Sequence, residues 1–282
     1  MLRTEYGRLR KVVLSKPTYY RLLAQNLTTK KYIEENKLPN LDIAIKEHAA
    51  FTQAFIDFGV EVVEFEPDQR YAYQTFTRDF CIMTPKGAVI SKMCTSGRQG
   101  EELVAENGLL KAGIPVIGHI TRGTCEGGDY MYVDRHTLAM GCGGRSNMEG
   151  IRNLREIFQE WNIDVEIMPV QFHPDHVHLD CVGSIVGEKV AICCLDVIPT
   201  AYYHFLKDRK FEIVTVPVED VIYMTPNVMP LDKDTILSSA SNKDVNGKLR
   251  ALGFKVIAIE MPEILKAGGG PHCLCCAVDR DM

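Results

Sequence analysis

Near the end of the chain, three glycines (Gly268 to Gly270) lead through a proline into His272, Cys273, Cys275 and Cys276. A thiol cluster of this kind has three chemical readings: metal ligation, a disulfide, or one nucleophilic cysteine on backbone that glycine leaves uncrowded. Zinc sites favour ligands two to four residues apart with matching partners elsewhere. Here Cys273 and Cys275 are too close, Cys276 is expected to point the other way on a strand, and there is no second Cys-x-x-Cys. The histidines of "FHPDHVHLDC" (His173, His176 and His178) do not complete a ligand spacing with those thiols either. A Cys273–Cys275 or Cys275–Cys276 disulfide meets geometric objections. The glycines therefore favour a single reactive thiol.

The elements that must hold this thiol recur. Five times an amphipathic helical stretch passes through a turn into a short β-branched run, with strands expected to begin near Val60, Ile114, Ile163, Phe211 and Phe254. After each run comes a polar or glycine-bearing turn and a hairpin-like pair of strands, the last being "HCLCCAVDRDM". If the opening "GRLRKVVLSKP" supplies the strand that this last hairpin lacks, the chain closes into a ring of five similar α/β units, which removes exposed strand edges. A doubly wound sheet is the competing architecture. It alternates one strand with one helix, whereas this chain offers about three strand candidates per helix. The expected organisation is one catalytic domain over residues 1–282, with "TTKKYIEENKLPNLD" as a charged helix or loop across one face.

In such a ring the residues that open each hairpin face the axis together. They are Arg78 and Asp79, Glu126 and Asp129, His178 and Asp180, Asn227, and His272 with Cys273. One thiol, one or two imidazoles and several carboxylates thus converge, a set suited to nucleophilic and acid–base chemistry.

Composition narrows the ligand. A net charge of −5 offers no basic stripe for nucleic acid and suits a small cation better. The 46% hydrophobic content is ordinary for a globular protein, and no run approaches the length of a membrane span. The opening "MLRTEYGRLRKVVLSKP" lacks the apolar core of a signal peptide, so a cytoplasmic location with reduced, mostly buried cysteines is expected. A homodimer is the base-rate expectation.

The segments "FTRD" (Phe76 to Asp79), "EGGD" (Glu126 to Asp129), "HLD" (His178 to Asp180) and "GGGPHC" (Gly268 to Cys273) occur in an order and spacing similar to those of the guanidino-group modifying enzymes. That superfamily includes arginine deiminase, dimethylarginine dimethylaminohydrolase, agmatine deiminase and the arginine:glycine amidinotransferases. The resemblance implies a five-bladed α/β propeller of the pentein type and no cofactor or metal. It implies Cys273 as nucleophile and His178 as general acid and base. Glu126 joins the catalytic set and, with Asp180, holds a guanidinium; Asp79 is a further carboxylate for that cation. Arg145, in "MGCGGRSNMEGI", resembles an arginine that grips the substrate α-carboxylate, with Arg98 assisting, and Gly270 lets the backbone approach the ligand. One position departs from the pattern: Tyr73 stands where arginine deiminases carry Asn, at a point concerned with the amino-acid end of the substrate.

A guanidinium is a planar cation whose in-plane donors match carboxylates. Those carboxylates should raise the Cys273 pKa in the empty site, so that the arriving cation promotes the thiolate. Attack on the guanidinium carbon would give a thiouronium, resolved by water in a hydrolase or by an amine in an amidinotransferase. A hydrolase of arginine or a substituted arginine leads. Amidino transfer, a two-step enzyme running through to ornithine, and a non-catalytic ligand-binding ring are the alternatives.

Overall fold

The computed structural model describes residues 2–281. Each helix is built on an apolar stripe that has to be covered. In Met148–Glu160 the buried positions include Ile151, Leu154, Ile157 and Phe158, one face at helical spacing, and the side chain of Asn147 caps the first turn by accepting from the Gly150 amide. The helix Leu41–Phe58 starts from Asn40 in the same way and stops at Gly59, whose φ of 84° closes its end. Helices Glu101–Lys111, Thr200–Asp208 and Lys243–Ala251 complete the set of five, each followed by a short strand.

The strands assemble as five three-stranded sheets. β1 (Leu9–Ser15) pairs in parallel with β2 (Glu61–Phe65). The next three sheets run in chain order: β3 (Cys81–Met83), β4 (Ala88–Ile90) and β5 (Val116–His119); β6 (Tyr130–Asp134), β7 (Thr137–Cys142) and β8 (Glu166–Gln171); β9 (Gly183–Gly187), β10 (Val190–Cys193) and β11 (Glu212–Thr215). In the fifth, β12 (Met229–Pro230) and β13 (Thr235–Ser239) pair with β14 (Lys255–Ile259). Each of these four sheets is an antiparallel hairpin joined in parallel to the strand that follows the helix. β15 (Cys276–Arg280) then returns to pair antiparallel with β1, Leu9 opposite Arg280, so the two ends of the chain share one blade. The expected closure and the five-unit ring are what the fold has, with strands starting one to three residues after the positions read from periodicity.

Neighbouring blades touch through their first strands: β15 lies against β3, and β9 against both β6 and β12. These inner strands are almost wholly buried, whereas the third strands alternate exposed and covered residues beneath the helices. The helix Leu27–Glu34 lies in the stretch expected to be a charged helix or loop. All ten cysteines are free thiols and eight are buried. No helix among the described residues is long and apolar enough to cross a membrane.

Two readings of local geometry need correction. Residues 271–274 form a turn, and β15 begins only at Cys276, so strand alternation does not govern the three thiols. Cys276 does not pack outward: it is buried with its Sγ 3.6 Å from that of Cys81, while Cys275 Sγ lies 3.3 Å from the Pro271 carbonyl. The pattern of "HLDC" also reads as the start of a strand, which would put His178 and Asp180 on the same side, but Leu179–Val182 is a helical turn and that alternation does not apply.

Arg78 shows how the blades are locked. It is fully buried, its Nε and Nη2 donate to the carbonyls of Gly127 and Tyr130 at 3.0 and 2.6 Å, and its guanidinium lies 3.7 Å from the centre of the Tyr130 ring. Its charge faces Glu5 at 3.6 Å. Removing one member of such a buried set strands its partners without water. Arg78→Met is expected to lower unfolding stability by about 3–5 kcal/mol, measured by chemical denaturation; a loss under about 1 kcal/mol would mean that Arg78 does not lock the second blade to the third.

Candidate active site

Each hairpin-opening residue reaches the axis on a tight turn. Thr77–Phe80 and Gly127–Asp129 are single 3₁₀ turns, and Leu179–Val182 is one turn of helix entered from an extended His178. The glycines of "EGGD" are required by crowding: a Cβ at Gly128 would sit 2.5 Å from His178 Nδ1 and 2.8 Å from Asp79 Oδ1. A small pocket of ≈ 20 Å³ opens here, with Asp79, Arg98, Arg145, His178 and Cys273 in its wall.

His178 Nε2 is 2.8 Å from Glu126 Oε2, and its Nδ1 is 3.5 Å from Asp79 Oδ1. Burial alone would depress this imidazole, but Asp79 and the hydrogen bond to Glu126 outweigh it and lift the His178 pKa to about 9. Burial works against the Glu126 carboxylate too. The bond from His178 and the nearby Arg145 prevail and bring Glu126 down to about 2. The two therefore form an ion pair at neutral pH. A second oxygen of Glu126 accepts the Cys94 amide at 2.7 Å, and Glu126's own amide donates to Ser146. Asp129 belongs to the scaffold: it accepts the Leu179 amide at 2.9 Å, and burial raises its pKa to about 6.

Cys273 is 3% exposed. Its Sγ is 3.0 Å from Asn227 Nδ2 and 3.4 Å from Asp180 Oδ2. A hydrogen bond from Cys181 favours the thiolate, but burial and the Asp180 and Asp79 carboxylates together push the thiol above its ordinary value. The direction is the one expected from the sequence, with burial acting ahead of the carboxylates.

The remaining expected residues divide. Asp79 stands in the pocket with one oxygen held by Arg98 and with Oδ1, buried, lacking any hydrogen-bond partner. Arg145 also lines the pocket, its neighbours being the Gln25 carbonyl at 3.3 Å, Thr95 Oγ1 at 3.5 Å and Glu126 at 3.7 Å. Asp180, expected to hold a guanidinium, lies behind the thiol: its Oδ2 accepts from His272 Nδ1 at 2.8 Å, and that bond keeps the carboxyl below its usual range despite burial. Arg98, expected to help grip a carboxylate, is already saturated by Glu101, Asp79 and the carbonyls of Tyr73 and Phe76. Gly270, expected at the ligand, packs instead on Asn227, whose Oδ1 lies 2.9 Å from where its Cβ would be; Gly268 and Gly269 line the pocket. His173 and His176 remain on the outer part of their loop, away from buried His178.

Three further residues serve the thiol. Asn227 accepts the amides of both His272 and Cys273 through one oxygen, at 3.0 and 3.2 Å, while its nitrogen faces the sulfur. Its place at a hairpin opening was the only signal for it. His272 links Asp180 to Glu5, whose Oε2 is 3.5 Å from His272 Nε2, and nothing in the sequence pattern marks Glu5. Cys181, which neighbours Cys273, was hidden among ten similar thiols.

A profile of the family described as "N,N dimethylarginine dimethylhydrolase, eukaryotic" matches residues 17–280. The Bacillus subtilis protein YkgA is 31% identical over 96% of this chain and 92% of its own length. The N(G),N(G)-dimethylarginine dimethylaminohydrolase of Pseudomonas aeruginosa is 22% identical over 84% of this chain and 89% of its own. Among solved structures, the N-terminal domain of ArgZ, an arginine dihydrolase from Cyanobacteria, superposes with a TM-score of 0.84 over 96% of this chain and 97% of that one, at 20% identity, a likeness of fold. With its profile matched across nearly all the described residues, the chain belongs to the N,N dimethylarginine dimethylhydrolase family.

Proposed function

We propose that the protein hydrolyses the guanidino group of arginine or a substituted arginine through a covalent intermediate on Cys273. The observation that carries this reading is the meeting, in one pocket wall, of the Cys273 thiol, the His178 imidazole and Asp79, whose buried Oδ1 faces that imidazole at 3.5 Å yet accepts no hydrogen bond. A guanidinium N–H satisfies that oxygen. The free volume of ≈ 20 Å³ at this point is about one water's worth.

The bound cation offsets the carboxylates that hold Cys273 neutral, and the thiol gives its proton to solvent. The thiolate, stabilised by the Asn227 amide at 3.0 Å, adds to the central carbon. His178, protonated at neutral pH with its pKa near 9, gives its proton to the departing nitrogen. Ammonia or an alkylamine leaves, and a thiouronium remains on the sulfur. His178, now neutral, takes a proton from water as the water adds to that carbon; collapse breaks the C–S bond, the hydroxyl proton passes to the departing sulfur, and a ureido product and the Cys273 thiol are released. One water is consumed and one amine is formed for each turnover.

Wild-type protein should convert guanidino compounds to ureido products, and Cys273→Ala should lose about 10⁴-fold or more in rate, with mass spectrometry identifying product and leaving group. A guanidinoacetate product formed only when glycine is added would make the protein a transferase instead. The thiol prediction is separate: in the free enzyme, alkylation of Cys273 by iodoacetamide should be slow at pH 7 and rise about tenfold per pH unit up to the raised thiol pKa. Fast alkylation independent of pH would count against substrate-promoted ionisation. Glu126→Gln removes a charge that holds the His178 proton, so the imidazole pKa should fall from about 9 toward 6.5, read from ¹⁵N shifts. An unchanged titration would deny Glu126 that part.

A further inference from the structure

Resting on the reading of Cys273 as the nucleophile, we infer that Glu5 is a positioning residue for that thiol: from near the start of the chain it holds the His272 ring against Asp180, and so sets the carboxylate field in which Cys273 ionises.

The line of contacts is short. Asp180 Oδ2 is shared between two residues adjacent in sequence, His272, whose Nδ1 lies 2.8 Å away, and Cys273, whose Sγ lies 3.4 Å away. The far edge of the imidazole, Nε2, faces Glu5 Oε2 at 3.5 Å. All four side chains are buried.

The two oxygens of Glu5 have separate tasks. Oε1 belongs to the scaffold: it accepts the Tyr132 amide at 3.0 Å and lies 3.6 Å from Arg78 Nη2. Oε2 accepts no hydrogen bond, and the charge contact it makes is with the His272 ring. Burial works against the Glu5 carboxylate, but Arg78 and His272, helped by Arg280, bring it down to about 2, so an anion stands at that place at neutral pH.

That anion acts on the ring and not on the backbone, because the His272 amide is held separately by Asn227 Oδ1 at 3.0 Å. With its far edge drawn to Glu5, the imidazole keeps Nδ1–H on Asp180, and the bond takes up part of the charge of that carboxylate. Were the ring free to turn, Asp180 would direct its full charge at the two thiols beside it, Cys273 and Cys181, the latter 3.4 Å from Oδ1. A thiolate next to an uncompensated carboxylate is repelled. The charged groups facing the thiol are Asp180 and Asp79; those facing the ring are Asp180 and Glu5, with Arg78 and Arg280 near Glu5.

The test follows alkylation of Cys273 by iodoacetamide against pH in the free protein, which needs no substrate, together with kcat and KM for the guanidino compound that is turned over fastest. Glu5→Gln keeps an oxygen for the Tyr132 amide and puts an NH₂ where Oε2 stood. Alkylation at pH 7 is expected to fall about threefold to tenfold, its profile displaced to higher pH, and kcat to fall by a like factor with KM within about twofold. His272→Gln leaves Glu5 facing Arg78 and should show a loss at least as large, to which Glu5→Gln adds none in the double variant. Alkylation that is unchanged or faster in Glu5→Gln overturns the inference; the loss of a distant negative charge, acting alone, would make it faster. Additive losses in the double variant overturn it as well, since the two residues would then act separately. If Glu5→Gln does not fold, Glu5→Asp takes its place with the same outcomes, because it keeps the charge for Arg78 and withdraws it from the ring. A wild type that turns over no guanidino compound overturns the hydrolase reading and leaves the alkylation comparison to decide this one.

Discussion

Charge withdrawn from water at the axis of the ring is the constraint on which the rest of the structure depends. Asp79, Glu126, Asp180, Arg78, Arg98 and His178 are each nearly inaccessible to solvent, and an isolated ion in such a place costs several kcal/mol even after relaxation. None of those six stands alone. His178 faces Glu126 and Asp79, Arg98 joins Asp79 to Glu101, and His272 joins Asp180 to Glu5, which also meets Arg78. The network crosses between blades at most of its links, so the five sheets must come together in one arrangement for any of its members to be neutralised.

That requirement also sets the reactivity of the thiol. Cys273 lies buried against Asp180, which favours the neutral SH form, and two uncharged groups, Asn227 and Cys181, are poised to hydrogen-bond the thiolate once it forms. A cation that enters beside Asp79 relieves the repulsion. In the proposed mechanism the free protein therefore carries a guarded nucleophile, with its proton donor already charged by a neighbouring carboxylate.

The pairing of β15 with β1 joins the two ends of the chain in a single sheet and carries the turn bearing Cys273 into position between the blades. Inner strands only two to five residues long suffice, because each is flanked by its neighbours and leaves little edge. Met229–Pro230, the shortest, tolerates a proline because only one side of it is hydrogen-bonded within its sheet.

Local patterns were enough to read the five-fold repeat, the helix and strand of each unit, the closure of the ring and the residues that open each hairpin. Hydrophobic period and turn chemistry act over a few residues, so they are written in a single stretch of chain. The pairing of side chains at the axis was not written there. Arg98 and Arg145 look alike in the sequence, yet one is saturated by Glu101 three residues away and by Asp79, and the other keeps donors for the pocket. Asp180 and Asp79 are both hairpin-opening carboxylates. One is claimed by His272, 92 residues on, and the other keeps an oxygen that accepts no hydrogen bond. Cys276 was misread because a strand was assumed to begin three residues before it does, and Glu5 was missed because no local pattern points to a residue that acts across the whole ring. Which group a buried charge meets depends on where the backbone brings distant turns, and that was decided by the tertiary structure alone.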